Sequence, residues 1–317
     1  MREQERQSFY TYLLSQETGH GYLHHCYQKL NGIDADTKSY ENCSAFLYYI
    51  DHGNRFFANA KQLDTLLQPL LMFYGTTHLL KACLLTKRPN YPESTAILAH
   101  GVSTRKRKKK QYTFMQDEVK PQHNGLFSYV SKHLYSLDHM PFEKIKMRDL
   151  LTLIPEMNDL FRYNGDERLV TIGEINTAAL HFPTDLLDSY HLTKNAFVKR
   201  ITPHLPTISN ITVDGNHIHV KLMKPLKNPA GPFVFHLDNN EIYFPKHREN
   251  FITIPEVLVH YLVLYNLSMI SRYETEWWGE LLATKADVDY PFIKQFLNVT
   301  AWKMPLLLGN ELIRNTD

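Results

Sequence analysis

Apolar residues run almost without interruption through two stretches of the chain, 66–85 and 257–270. A helix that is apolar on all sides must be surrounded by protein or by lipid. The first stretch contains proline, histidine and lysine, and the second is shorter than the roughly 20 residues needed to cross a bilayer. Since proline suits a first helical turn, we predict two central helices of a non-membrane bundle, over 69–86 and from 255 towards 272.

Shorter amphipathic patterns on both sides of these stretches predict further helices. Near the N-terminus, Gly19 and Gly21 separate two short helices, and Ser39 would cap a longer one that Gly53 could interrupt. The second central helix would continue to about residue 282. The remaining predicted helices cover residues 8–15, 22–30, 147–153, 155–161, 185–200, 291–300 and 304–314.

Between residues 208 and 245 the apolar period changes to two, as in half-buried strands. Asp214 and Gly215 form a turn signal between two alternating runs, and a second pair of runs, 233–237 and 241–244, flanks another polar turn. These two hairpins predict one small antiparallel sheet inserted into a mainly α protein with a helical-bundle core. We expect a single large domain over 1–317, with this insertion and, over 98–130, a basic loop followed by an irregular excursion or a loose hairpin.

Positive charge is concentrated in six consecutive residues, Arg105 to Lys110. The chain has 35 Lys and Arg against 33 Asp and Glu, so without this run acidic residues exceed basic ones. An anionic partner would therefore be bound mainly at one place, which favours a compact phosphorylated molecule or a short RNA over a long duplex. A solvated loop is the alternative interpretation.

The residues before the basic run have the chemistry of a phosphate-binding loop. Glycine lets the backbone approach an anion, hydroxyls bind phosphate oxygens, and arginine binds them bidentately. Together with an aromatic side chain from the first central helix, they form the predicted ligand-binding set: Tyr74, His100, Gly101, Ser103, Thr104, Arg105, Lys106, Arg107 and Lys108.

The central helices carry a second group of polar residues. Tyr74, His78 and Lys81 are spaced i, i+4 and i+7, so they share one helix face. If this helix packs against the later one, His78, Lys81 and Arg272 converge on one cavity and become the candidate catalytic residues. The alternative is a buried polar network in which Arg272 pairs with Glu276 or with another carboxylate.

Motifs for nucleotide, metal or nucleophilic chemistry are missing from the sequence. There is no GxxxxGK[ST], GxGxxG, GxSxG or HExxH, and we predict neither a cofactor nor a metal site. His217 and His219 share one face of a strand, and we interpret them as a solvent-facing alternation. The chain shows no apolar leader after Met1, and its three cysteines are widely spaced, so reduced thiols and a cytoplasmic location are expected.

Several segments resemble the YaaC-like family of bacterial proteins, and the resemblance covers nearly the whole chain. The resemblance implies membership of this family, and it implies no particular activity, cofactor or partner. The segments are 71–83 (LMFYGTTHLLKAC), 91–95 (YPEST), 98–109 (LAHGVSTRKRKK), 117–120 (DEVK), 124–127 (NGLF) and 267–273 (LSMISRY), with Trp277.

Three hypotheses about function follow. The first is a cytoplasmic binding or regulatory protein whose loop 100–110 engages a nucleotide, a short RNA or an acidic partner surface. The second is a ribonuclease similar to the helical HEPN group, in which an Arg precedes a His by four to six residues. Here only three residues, among them Pro203, separate Arg200 from His204, which is fewer than this spacing requires, and Arg272 has no following His. The third is a structural interaction module, and homo-oligomerisation is open under each.

Overall fold

Helices make up most of the computed structural model, which describes residues 3–104, 112–226 and 231–315. The mainly α class is therefore confirmed. The helices are α1 (Glu3–Tyr12), α2 (Gln16–Gln28), α3 (Ala35–Gln62), α4 (Gln68–Lys87), α5 (Leu126–Tyr135), α6 (Met147–Thr152), α7 (Asn158–Tyr163), α8 (Asp185–Tyr190), α9 (Lys194–Ile201), α10 (Glu256–Tyr273), α11 (Thr275–Thr284) and α12 (Asp289–Ile313).

Short strands occupy two regions between the helices. They are β1 (Val102–Thr104), β2 (Glu118–Pro121), β3 (Ile145–Lys146), β4 (Leu169–Glu174), β5 (Ala179–Pro183), β6 (Ile208–Val213), β7 (His217–Leu222), β8 (Val234–His236) and β9 (Glu241–Pro245). The chain divides into two compact units, with Met1–Lys144 and His260–Asp317 in unit 1 and Ile145–Val259 in unit 2. The single-domain expectation stays a prediction.

The closest helix pair of unit 1 is α3 with α4. A Cβ atom added at Gly53 would come within 2.7 Å of the Leu79 side chain, and one at Gly75 within 2.9 Å of the Phe57 ring. The two glycines also lie near each other, since the carbonyl oxygen of Gly53 would be 3.2 Å from a Cβ at Gly75. The missing side chains let the two backbones approach and bury α4 between its neighbours.

Both central helices are present, and α4 begins with Pro69 in its first turn as predicted. Other helix ends differ from the predictions. Asp34, whose side chain accepts a hydrogen bond from the backbone N–H of Thr37, caps α3 in place of Ser39, and the helix continues through Gly53 without a break. Burial of the surrounding apolar face outweighs the cost of about 1 kcal/mol for a glycine in a helix.

Two further helices continue where the sequence suggested an interruption. α2 includes both Gly19 and Gly21. α12 is one helix with Pro305 inside it, although we predicted two helices. Met304, Leu308 and Leu312 are fully buried. Their packing keeps α12 helical before and after the proline. Conversely, residues 185–200 form two helices separated at His191, which has a left-handed φ of 52°.

Of the two forms expected for residues 112–130, a loose hairpin or an irregular excursion, the hairpin is wrong. Residues 126–130 begin helix α5, and the strand partner of β2 is β1, with Ser103 opposite Lys120. Gly101 and Gly125 bring these segments together with positive φ values of 76° and 118°. A Cβ at Gly125 would be 2.5 Å from the Cα of Gly101, so only glycine fits there.

The β structure of unit 2 corrects the prediction of one inserted sheet. The hairpins β6–β7 and β8–β9 form as predicted, but they belong to two three-stranded antiparallel sheets, in the orders β5-β7-β6 and β4-β9-β8. Strands β4 and β5, which the sequence analysis missed, complete these sheets. Their inward side chains share one core, which includes Ile172, Leu180, Phe182, Ile218, Ile242 and Phe244.

In the described part of the chain, none of the helices is long and apolar enough to cross a membrane. Cys26, Cys43 and Cys83 are buried free thiols, in agreement with the expectation that they are reduced.

Gly75→Ala should destabilise the protein by about 1–3 kcal/mol, because the new methyl group must displace the Phe57 ring or separate α3 from α4. The matched control is Gly21→Ala in α2, where a Cβ meets nothing within 4 Å. That variant should gain stability by up to about 1 kcal/mol from helix propensity. Urea denaturation of both variants provides the measurement, and a Gly75→Ala protein as stable as the wild type would contradict the close approach.

Candidate functional site

Tyr74, His78 and Lys81 lie on one partly buried face of α4, as their spacing predicts. This face packs against aromatic side chains of α3. The His78 ring stacks on Phe56 with a centroid distance of 5.5 Å and an interplanar angle of 8°, and Tyr49 lies 5.9 Å away. The α4 face is therefore lined by rings as well as by polar groups.

His78 has a buried Nδ1 atom without a hydrogen-bond partner in the described part of the chain. Burial, followed by the charges of Lys81 and His52, lowers the pKa of His78 to about 4. The imidazole is thus neutral near pH 7. A buried polar atom of this kind without a partner is energetically costly.

Lys81 is a partly buried cation, and desolvation lowers its pKa. Its ammonium group lies over the Tyr49 ring, 5.6 Å from the centroid. Within the described ranges, no carboxylate forms an ion pair with it. Among the described residues, this charge makes a weak cation–π contact, which does not neutralise it.

His100 connects the α4 face to α10. Its ring packs edge-on against Phe73 at 4.9 Å and lies 6.0 Å from Tyr265, while its carbonyl oxygen accepts a 2.9 Å hydrogen bond from the Tyr261 hydroxyl. Burial lowers the pKa of His100, followed by the charges of Arg272 and Lys81. Each of the two cations therefore lies within electrostatic range of the His100 imidazole.

Arg272 contributes the second partly buried cation. Its Nε donates to the carbonyl oxygen of Ser268 at 2.9 Å, and the guanidinium lies 5.3 Å from the centroid of the Tyr273 ring. The predicted alternative, an ion pair with Glu276, does not form, and no other carboxylate among the described residues pairs with Arg272. Its charge is available to an anion.

The predicted loop residues before the basic run are already engaged within the protein. Gly101 is buried against Gly125. The Ser103 hydroxyl accepts a 2.6 Å hydrogen bond from the Gln122 side chain, and the Thr104 hydroxyl accepts one of 3.1 Å from Asn266. A phosphate would have to compete with these contacts. Their predicted role in binding stays a prediction.

Four predicted ligand-binding residues, Arg105, Lys106, Arg107 and Lys108, lie outside the described residues. The residues on either side of the gap are anchored to α10 by a network that the sequence analysis missed. The buried Asp117 accepts hydrogen bonds from the Tyr112 hydroxyl at 2.9 Å and from the Asn266 amide at 2.8 Å. Because Asn266 also donates to Thr104, the described residues that flank the gap, Thr104 and Tyr112, are connected to the helix that carries Arg272, Thr104 directly and Tyr112 through Asp117.

The only sequence signal for this network was a polar Asn at position 266 within an apolar helix. A buried amide needs partners, but its partners are far away along the chain and could not be identified from spacing. No group of three or more His, Cys, Asp or Glu side chains suited to a metal ion occurs in the part of the chain that the structure describes.

His78 should make the protein less stable as the pH falls. The pKa of His78 is about 4 in the folded protein against 6.5 in an ordinary environment, so between these values the unfolded chain binds more protons. Stability from this group is complete above about pH 6.5 and is lost towards pH 4. In urea denaturation at pH 7.5 and 4.5, His78→Gln should lose less stability than the wild type. The exposed control His139→Gln should follow the wild type, and equal losses in all three would contradict this expectation.

A family model described as YaaC-like Protein matches residues 11–312. No curated protein and no solved structure matches the chain. The family match includes the α4 face, the basic run and the Arg272 region. Since it covers almost the whole chain, this protein belongs to the YaaC-like family.

Proposed function

We propose that the protein binds a compact phosphorylated ligand, of the nucleotide class, beside Lys81, His100 and Arg272. The observation that carries the proposal is the pair of partly buried cations that lack carboxylate partners among the described residues. A charge withdrawn from water is costly unless an opposite charge compensates it. A phosphate group would supply that charge, accept a bidentate contact from Arg272 and hydrogen-bond to an imidazole.

The basic run supports the same ligand chemistry. Arg105 follows Thr104 directly, and Thr104 is hydrogen-bonded to α10 through Asn266. Thr104, the last described residue before the six cations, is therefore hydrogen-bonded to the helix of Arg272. Outside this run the chain has more acidic than basic residues, so a small anion fits the charge distribution better than a long polymer.

The aromatic rings of the α3–α4 face favour a nucleotide over a bare phosphate. Phe56 and His78 form a stacked pair, with Tyr74 6.1 Å from Phe56 and Tyr49 beside His78. Stacking of a nucleobase on a ring contributes about 1–3 kcal/mol. A ligand with a phosphate at the cations and a base at these rings would use both properties of the site.

Lys81→Met should weaken ATP binding about tenfold or more while leaving the fold intact or more stable. The substitution removes one charged contact to phosphate, and it also removes the cost of a buried charge that has no described partner. Isothermal titration with ATP and with pyrophosphate measures binding, and thermal melting measures stability. Lys132→Met, which removes an exposed cation from α5, is the matched control and should change neither quantity.

Two outcomes would contradict the proposal. One is unchanged ATP affinity in both Lys81→Met and a variant in which Arg105, Arg107 and Lys108 are replaced by Gln. The variant with Gln at positions 105, 107 and 108 should instead bind ATP more weakly, and its ATP affinity should depend less on salt concentration. The other is native mass spectrometry that finds no small molecule on the protein but finds a co-purified protein that is lost with the loop cations. That result would favour an interaction module.

A second candidate is RNA cleavage, because the charge of Arg272 acts on the imidazole of His100 although the two are far apart in the sequence. Helical ribonucleases of this group have the Arg and the His four to six residues apart, whereas here Arg272 and His100 would act together only through the fold. Purified protein should then cleave a short single-stranded RNA, and His100→Ala or His78→Ala should abolish the activity. An RNA that stays intact with the wild-type protein would eliminate this candidate.

A further inference from the structure

A hydrogen-bonded chain of three polar side chains lies on the β5-β7-β6 sheet of unit 2. His181 of β5 stands directly opposite His219 of β7, and their Nδ1 atoms are 2.7 Å apart. The other ring nitrogen of His219, Nε2, is 2.7 Å from Oδ2 of Asp214, in the turn between β6 and β7. All three side chains are at least partly exposed.

Asp214 determines the protonation of His219. Its carboxylate accepts hydrogen bonds from the backbone N–H groups of Asn216 and His217, and Oδ2 lies within hydrogen-bond distance of Nε2 of His219. An ionised carboxylate only accepts hydrogen bonds, so Nε2 of His219 carries a proton. In neutral His219 the lone pair of Nδ1 then points towards Nδ1 of His181.

We propose that His181 and His219 bind a divalent transition-metal ion of the zinc, copper or nickel kind through their Nδ1 atoms, with Asp214 orienting His219. In the neutral pair, one proton lies between the two nitrogens. The metal takes the place of this proton, and His181 becomes protonated on Nε2, so no net proton is released. Imidazole nitrogens are suitable ligands for these metals, whereas Mg²⁺ and Ca²⁺ prefer oxygen.

The geometry requires only a small adjustment. Two imidazole nitrogens at ordinary zinc distances and a tetrahedral angle are about 3.3 Å apart, so the rings must separate by about 0.6 Å. Rotation of exposed side chains supplies such a change. A carboxylate that accepts a hydrogen bond from the far nitrogen of a ligating histidine is a recurrent second partner in metal sites, because it fixes the ring's tautomer and direction.

Room for further ligands exists beside the pair. His181 and His219 line an open depression of about 350 Å³ together with Asn210, Thr212 and Lys221. Because three suitable side chains do not converge anywhere in the described residues, water would complete the coordination of a two-histidine site. Lys221 adds a positive charge at its edge, which limits the affinity. The location in a different unit makes this proposal independent of the phosphate site.

The test is calorimetric titration of untagged, full-length protein with Zn²⁺. One equivalent should bind, Mg²⁺ should not, and His181→Gln and His219→Gln should each weaken Zn²⁺ binding at least tenfold. Asp214→Asn, whose side-chain oxygen can still accept the turn hydrogen bonds, should weaken it by about 10–100-fold. His139→Gln, an exposed histidine of unit 1, is the control and should bind as the wild type does.

Electron paramagnetic resonance of the Cu²⁺ form counts the ligating nitrogens, and two are expected. The absence of Zn²⁺ binding, an unchanged affinity in either histidine variant, or a spectrum with fewer than two nitrogens would overturn the proposal. Circular dichroism melting of each variant keeps loss of binding distinct from loss of folding, and unchanged ATP titration in His219→Gln shows that the other site is unaffected.

Discussion

The close approach of α3 and α4 at Gly53 and Gly75 is the constraint on which the candidate site depends. With no Cβ atoms at the crossing, Leu79 and Phe57 fill the space beside the two backbones. One turn further along α4, His78 reaches the ring of Phe56 and stacks on it. A wider helix separation would leave this imidazole in solvent, where its pKa would not be lowered.

Burial then gives the polar residues of this face their chemical character. His78 is neutral because its protonated form would lose hydration next to Lys81, and Lys81 keeps a charge that no described carboxylate balances. The apolar contacts of α4 and α10 supply the stability that offsets these unfavourable groups. Perturbed ionisable groups cluster at functional sites, and this tendency supports the proposed phosphate site.

Unit 2 arranges polar groups differently. Its aromatic and aliphatic core lies on the inner faces of the sheets, and the Asp214–His219–His181 chain lies on an exposed face. The sequence showed that His217 and His219 alternate with apolar residues, and the turn at Asp214 was evident. It did not show strand β5, so the imidazole opposite His219 had no predicted position. The cross-strand register created this pair, and register is a long-range property.

By itself, the sequence determined the mainly helical class, the two central helices, the two hairpins and the shared face of Tyr74, His78 and Lys81, because each follows from a local period or turn signal. The tertiary structure decided what local patterns do not encode: the continuation of α3 through Gly53 and of α12 through Pro305, the division of the hairpins between two sheets, and the partners of Asn266 and Asp117. It also placed Arg272 within electrostatic range of His100, with no carboxylate among the described residues paired to Arg272. These results depend on which distant segments pack together, and packing energy overrides the local preferences of single glycines and prolines.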